Sequence, residues 1–142
     1  MTSRLNNKAI ARRYFDAYST GDIKAVMKFI DSDLRSSPWR KQRIDEHRGE
    51  KKDETGFFRA FSSIQAIVED QIAEVDKVAN RITMHCAHSA EYQGVPATGK
   101  RIVIPYMDII LFRAGKILEE WVEYDTTNIL QQISVNKNSD NF

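Results

Sequence analysis

The sequence predicts an α+β fold in which helices come first and a four-strand antiparallel meander follows; a sheet curved strongly over those helices would leave a conical cavity. Three observations predict it. Apolar residues recur at helical spacing in segments that precede the strands. Clean alternation of apolar and polar side chains then runs from Val78 to Tyr92. Finally, Arg101 to Asp125 reads as two long strands joined by a tight turn at Ala114-Gly115, where Gly115 supplies the positive φ of a short hairpin.

The first helix covers about Asn6 to Ser19, with Ile10, Tyr14, Ala17 and Tyr18 at helical spacing and Gly21 as its stop. Asp22 is placed to cap a short second helix carrying Val26, Met27 and Ile30. Arg35 to Glu54 is dense in both charge signs and predicts a solvated loop, with Trp39 at the mouth of a pocket. Glu54 to Ile64 predicts a third helix whose stripe is Phe57, Phe58 and Phe61. Ala66 to Val75 predicts a strand, Asp76-Lys77 its turn, and Val78 to Tyr92 the return, with Val78, Ile82, Met84, Cys86, His88, Ala90 and Tyr92 on one face. Gly94, Pro96 and Gly99 turn the chain into the final hairpin. Thr126 to Gln132 makes a last helical turn, and the polar stretch from Ser134 to Phe142 is expected to fray. The domain therefore spans residues 1–133, with 134–142 as a polar tail.

In the final hairpin, pairing Arg113 with Lys116 sets Phe112 opposite Ile117, Asp108 opposite Trp121 and Ile104 opposite Asp125. One face then carries Ile104, Tyr106, Asp108, Ile110, Phe112, Ile117, Glu119, Trp121, Glu123 and Asp125. The other carries Val103, Met107, Ile109, Leu111, Leu118, Val122 and Tyr124. The first, apolar with carboxylates among aromatics, suits the wall of a pocket. A buried carboxylate is costly unless paired or protonated, so Asp108 and Asp125 are candidate functional groups.

Composition narrows the function. The 142 residues carry a net charge of +1, which argues against nucleic acid or an anionic membrane as partner. The basic residues Arg40, Lys41 and Arg43 are diluted by Asp45, Glu46 and Glu50, and no aromatic ladder accompanies them. A single cysteine, Cys86, excludes an internal disulfide and a cysteine-based zinc cage, and fits a reducing compartment. The N-terminal stretch lacks the apolar core of a signal peptide, and no run is long and apolar enough to span a membrane. A cytoplasmic protein is expected. Glycine-rich phosphate loops and nucleophile elbows are absent from the sequence, and His85 and His88, three apart on a strand, face opposite ways and make poor joint metal ligands.

Several fixed spacings resemble one family. His88 with Glu91-Tyr92, the run Gly94 to Lys100, Asp108, Phe112, Gly115-Lys116-Ile117, Glu119, Trp121, Asp125 and Leu130-Gln131-Gln132 together resemble the SnoaL-like polyketide cyclases. The early helices, with Tyr14-Phe15 and Ser19-Thr20-Gly21-Asp22, match more weakly. The resemblance implies the cone-shaped α+β barrel of the nuclear transport factor superfamily, which is cystatin-like, and a homodimer or tetramer through the outer sheet face. It implies ring closure by aldol condensation on a small hydrophobic carbonyl compound, without metal or organic cofactor. By motif position the acid/base would be Asp125; its alternative is an N-cap for the helix begun by Thr126-Thr127. Many members have a histidine just before the tryptophan, where this chain has Glu120, and another near Ser36-Ser37, where it has none.

The remaining candidates are His88 and Asp108 as polarising or orienting groups, with Trp121, Tyr106, Tyr14, Tyr18, Ile104 and Met84 as substrate-binding walls. Each has a plain reading as core: a lone histidine on an apolar face, an aspartate paired with an arginine, aromatics packed at helical or strand spacing. Other activities open to this reading are a hydrolase in which Asp125 activates water, and a non-catalytic ligand-binding or dimerisation module.

Overall fold

A computed structural model describes residues 4–35, 37 and 56–134. Most of the charged segment, Trp39 included, and the tail after residue 134 lie outside the described residues, and so do the expectations placed on them. The elements run α1 (Arg4–Thr20), α2 (Ile23–Met27), α3 (Gly56–Ala60), β1 (Phe61–Glu74), β2 (Lys77–His88), β3 (Arg101–Arg113), β4 (Lys116–Tyr124) and α4 (Thr126–Ser134). The strands form one antiparallel sheet in the order β1-β2-β3-β4, as the meander required. Among the described residues, no helix is long and apolar enough to cross a membrane.

Helix α1 lays Ala11, Tyr14, Phe15 and Tyr18 against the inner face of the sheet, where all are buried. The inner rows of β2 and β3 meet them with Val78, Ile82, Met84, Cys86, Ile102, Ile104, Tyr106 and Ile110. Burying each large apolar side chain contributes about 1.5–3 kcal/mol, so this layer supplies most of the cohesion. Asp22 caps α2 as expected, its side chain accepting from the Lys24 N–H. Phe61 corrects the third-helix stripe. It opens β1 opposite His88, five residues ahead of the expected strand start, because the helix stops at Ala60.

The hairpin turn is as expected: Ala114 (φ 50°) and Gly115 (φ 77°) are both left-handed, and Phe112 faces Ile117. One residue further the register departs from simple alternation. A bulge sits on β4 so that Leu111 pairs with Glu119, Ile110 with Glu120, Ile109 with Trp121, Asp108 with Val122 and Tyr106 with Tyr124. Ile117 and Leu118 are both buried, and every later residue of β4 is turned to the opposite face from the one simple alternation gives. A segment distant in sequence is bonded to the bulged stretch. Phe29 to Arg35 runs along the free edge of β4, joined by Ile117 N–H to the Phe29 carbonyl (2.8 Å), Asp31 N–H to the Ile117 carbonyl (2.9 Å) and Arg35 N–H to the Leu118 carbonyl (2.9 Å). Arg113 clamps the same segment through Asp31 (2.6 Å) and Asp33 (2.8 Å). Beyond Tyr124 the edge of β3 is covered by Gln132 of α4, whose amide bonds both the N–H (2.9 Å) and the carbonyl (2.7 Å) of Val103.

Candidate active site

The bulge brings Glu120 inside. Glu120 is 2% exposed and lies one step diagonally from Asp108, itself 3% exposed, on the inner face. Tyr14 of α1 donates its hydroxyl to Glu120 Oε1 at 2.9 Å, and Tyr106 of β3 donates to Oε2 at 3.5 Å. Asp108 and Glu120 are diagonal neighbours on the inner face, close enough for each carboxyl to act on the other. On its far side Asp108 Oδ1 accepts from Asn80 Nδ2 at 2.8 Å. Two neighbouring buried carboxyls do not both ionise near neutral pH, because burial and like-charge repulsion both penalise the second charge.

The donors decide where the one charge rests. Glu120 accepts from both Tyr14 and Tyr106, whereas Asp108 accepts from Asn80 alone among the described residues. Burial raises the Glu120 pKa, and its neighbours Asp108, Tyr14 and Tyr106 pull it back down. Asp108 is pushed up to about 10 by burial first, then by the Glu120 charge. Glu120 is therefore the first of the pair to ionise, and Asp108 keeps the proton. Burial, followed by the same Glu120 charge, also raises the Tyr18 and Tyr106 hydroxyls well above their ordinary value, so both remain donors.

The predicted site residues divide into three groups. Tyr14, Tyr18, Tyr106 and Asp108 come together at this carboxyl pair, whereas Met84 and Ile104, cross-strand partners, lie further along the buried inner face. His88 is fully buried but stands apart: Asp108 pairs with Asn80, and His88 follows Asn80 by eight residues, about 26 Å of strand. Asp108 thus does not orient His88. The imidazole instead takes the Thr98 N–H on Nδ1 (3.2 Å), with the Thr98 hydroxyl at 2.9 Å, which places its proton on Nε2. That buried Nε2–H has no partner among the described residues.

The third group corrects the expectation. Trp121 is 42% exposed on the outer face, where the Lys77 ammonium lies 5.6 Å from its ring. Asp125 is exposed, and its Oδ1 accepts the Asn128 N–H at 3.1 Å as the cap of α4. Neither reaches the interior, because the bulge has already reversed the facing of β4 and because β4 ends at Tyr124.

Comparison with known proteins follows the same outline. The SnoaL-like polyketide cyclase family matches residues 8–133. This chain belongs to that family. No curated protein matches the sequence. Among solved structures it is similar to AclR from Streptomyces galilaeus, a candidate hydroxylase, at 25% identity and a TM-score of 0.75, over 94% of this chain and 84% of that one. It is also similar to TsrD from Streptomyces laurentii, at 20% identity and a TM-score of 0.75, over 96% of this chain and 100% of that one. A SnoaL-like polyketide cyclase candidate from Jannaschia sp. CCS1 matches at 17% identity and a TM-score of 0.73, over 92% of both chains. The last two likenesses establish the fold alone.

In this SnoaL-like chain the residue that sequence reasoning missed is Glu120. Simple alternation had set it outside. Two signals pointed to it: Glu120 stands where many members of the family have a histidine, and the apolar doublet Ile117-Leu118 just before it breaks the alternation.

Proposed function

We propose that this SnoaL-like protein is a cofactor-independent enzyme that moves protons on a small, mostly apolar carbonyl compound, with Glu120 and Asp108 as its acid/base pair. One observation carries the reading: a buried carboxylate on the inner face of the sheet, held by two tyrosine hydroxyls beside a second buried carboxyl. A charged, partly desolvated carboxylate is a stronger base than one in water, which suits abstraction of a proton next to a carbonyl. Glu120 takes that proton, and the C–H electron pair passes to the carbonyl oxygen as an enolate. Tyr106, whose 3.5 Å bond to Glu120 is the weaker of the two, swings to donate to that oxygen. The enolate carbon then attacks a second carbonyl of the same molecule, closing a ring, and the new alkoxide receives a proton from the pair.

A ligand-binding module without chemistry is the second reading. It is favoured by a pocket of about 220 Å³ between the end of α1 and the start of β1, lined by residues such as Ser19, Phe58, Phe61 and Ser63 rather than by the acid pair. Deuterium exchange separates the two. Carbonyl compounds with an acidic C–H, incubated with the protein in heavy water, are expected to gain deuterium at that carbon by mass spectrometry. Glu120→Gln is expected to slow exchange by about 10²–10⁴-fold while the fold is kept, and Asp125→Asn to leave it unchanged. Equal exchange in Glu120→Gln and wild type removes the pair from the chemistry.

A further inference from the structure

The acid pair is the end of a longer hydrogen-bonded row. Gln71 of β1, Asn80 of β2 and Asp108 of β3 are direct cross-strand partners, so their side chains stand side by side across the sheet. Gln71 Nε2 donates to the Lys8 carbonyl of α1 at 3.0 Å and to Asn80 Oδ1 at 2.9 Å. Asn80 Nδ2 in turn donates to Asp108 Oδ1 at 2.8 Å.

The direction of this row is forced. A backbone carbonyl is acceptor only, so the Gln71 group facing Lys8 is its NH₂. Its second hydrogen goes to Asn80, which therefore presents its oxygen to Gln71 and its NH₂ to Asp108. Asp108 Oδ1 is thereby committed as acceptor, and the acid proton is left on Oδ2. That oxygen is buried and has no hydrogen-bond partner among the described residues. Glu120, the diagonal neighbour of Asp108 on the same buried face, is placed to receive that proton. The groups facing the pair are Tyr14 and Tyr18 from α1, Tyr106 from β3 and the neutral Asn80 from β2.

We propose that Gln71 and Asn80 are positioning residues: anchored on the α1 backbone, they fix the direction of the Asp108 acid proton and so keep Glu120 as the base of the pair. The inference rests on the acid/base reading of Glu120 and Asp108. It assigns to a half-buried glutamine on an outer strand, which touches neither carboxyl, an effect on the basicity of Glu120.

The test reads the carboxyls directly. With carbon-13 in the side-chain carboxyls of Asp and Glu, nuclear magnetic resonance follows Glu120 and Asp108 through pH, each assigned from Glu120→Gln and Asp108→Asn. Asn80→Leu and Gln71→Leu keep the bulk of the side chain and free the Asp108 carboxyl to turn. The Glu120 midpoint is expected to rise in both, by about one pH unit, as Glu120 loses a steadily held donor. Deuterium exchange near neutral pH is expected to fall up to about tenfold in step with it. Asp125→Ala, which weakens the fold at the α4 cap, is expected to leave the Glu120 midpoint where it is, so general destabilisation does not imitate the effect. An unchanged or lowered Glu120 midpoint in both Leu variants overturns the positioning role. A wild-type protein that titrates in the expected order yet exchanges no deuterium overturns the enzymatic reading instead, while a shift in the variants would still support the positioning of the pair.

Discussion

At the scale of single residues, Asp108 makes the stability of this protein depend on pH. Folded, its carboxyl is pushed up to about 10 by burial and by the Glu120 charge; unfolded, it returns to the ordinary value of 3.8. Between those limits the folded chain holds a proton that the unfolded chain has released. The contribution is fully present below the unfolded pKa and is lost as pH rises towards the folded one, at up to about 1.4 kcal/mol per pH unit. Glu120, also raised by burial, adds a loss of the same sign at the lower end of the window. Urea unfolding at pH 5, 7 and 9 is expected to show stability falling steadily. Asp108→Asn, neutral at every pH and able to donate to Glu120, is expected to flatten the decline; an equal slope in wild type and variant would mean that Asp108 is already ionised in the fold. The same proton shapes turnover. Activity is expected to rise with pH as Glu120 ionises, above the ordinary carboxylate range, and to fall near pH 10 as Asp108 loses its proton.

At the scale of elements, the cap of α4 separates structural from chemical roles for Asp125. Its carboxylate satisfies the Asn128 N–H at the start of Thr126–Ser134, which docks Ile129 and Ile133 into the core. Asp125→Ala is expected to cost about 1 kcal/mol, measured as a lower Tm, while Asp125→Asn retains the cap and costs less. Full exchange activity in both would seat the chemistry elsewhere; its loss in both, with stability kept in Asp125→Asn, would return Asp125 to the reaction. The cap was legible in the sequence, since aspartate before Thr126-Thr127 has the composition of a helix start. The meander, the Ala114-Gly115 turn and the inner row of β3 were legible for the same reason: each is dictated by residues within a few positions of one another. The facing of β4 was not. The strand is bonded along its edge by Phe29 to Arg35, more than eighty residues earlier in the chain, and the apolar doublet Ile117-Leu118 marks a break in alternation without naming that partner. Phe61 was misread on similar grounds, because a stripe of Phe57, Phe58 and Phe61 has helical spacing whether or not the helix reaches its last member.

At the scale of the molecule, the reversal of β4 leaves the outer face of the sheet with an apolar centre. Val103, Met107, Ile109 and Trp121 are between 42% and 54% exposed there, with Ile109 and Trp121 directly paired and α1 on the opposite face. Isolated exposed apolar residues are ordinary, but a contiguous group on adjacent strands marks an interaction surface. We propose that its occupant is a second copy of this chain. A two-fold contact asks only that one patch complement itself, and this apolar centre is flanked on the same face by charges of both signs, Arg81 and Arg101 against Glu123. The centre of such an interface is where charged residues are depleted and aromatics and methionine concentrate, which is how Trp121 and Met107 are placed. Sedimentation equilibrium is expected to give a dimer for the wild type and a monomer for Met107→Glu combined with Trp121→Glu, with Trp121→Phe remaining dimeric. The substituted side chains point away from Glu120, so deuterium exchange in the monomer is expected to persist. A wild-type monomer, or a dimer indifferent to both glutamates, would place the contact on another surface. Loss of exchange on dissociation would instead mean that the carboxyl pair depends on the partner for its shape.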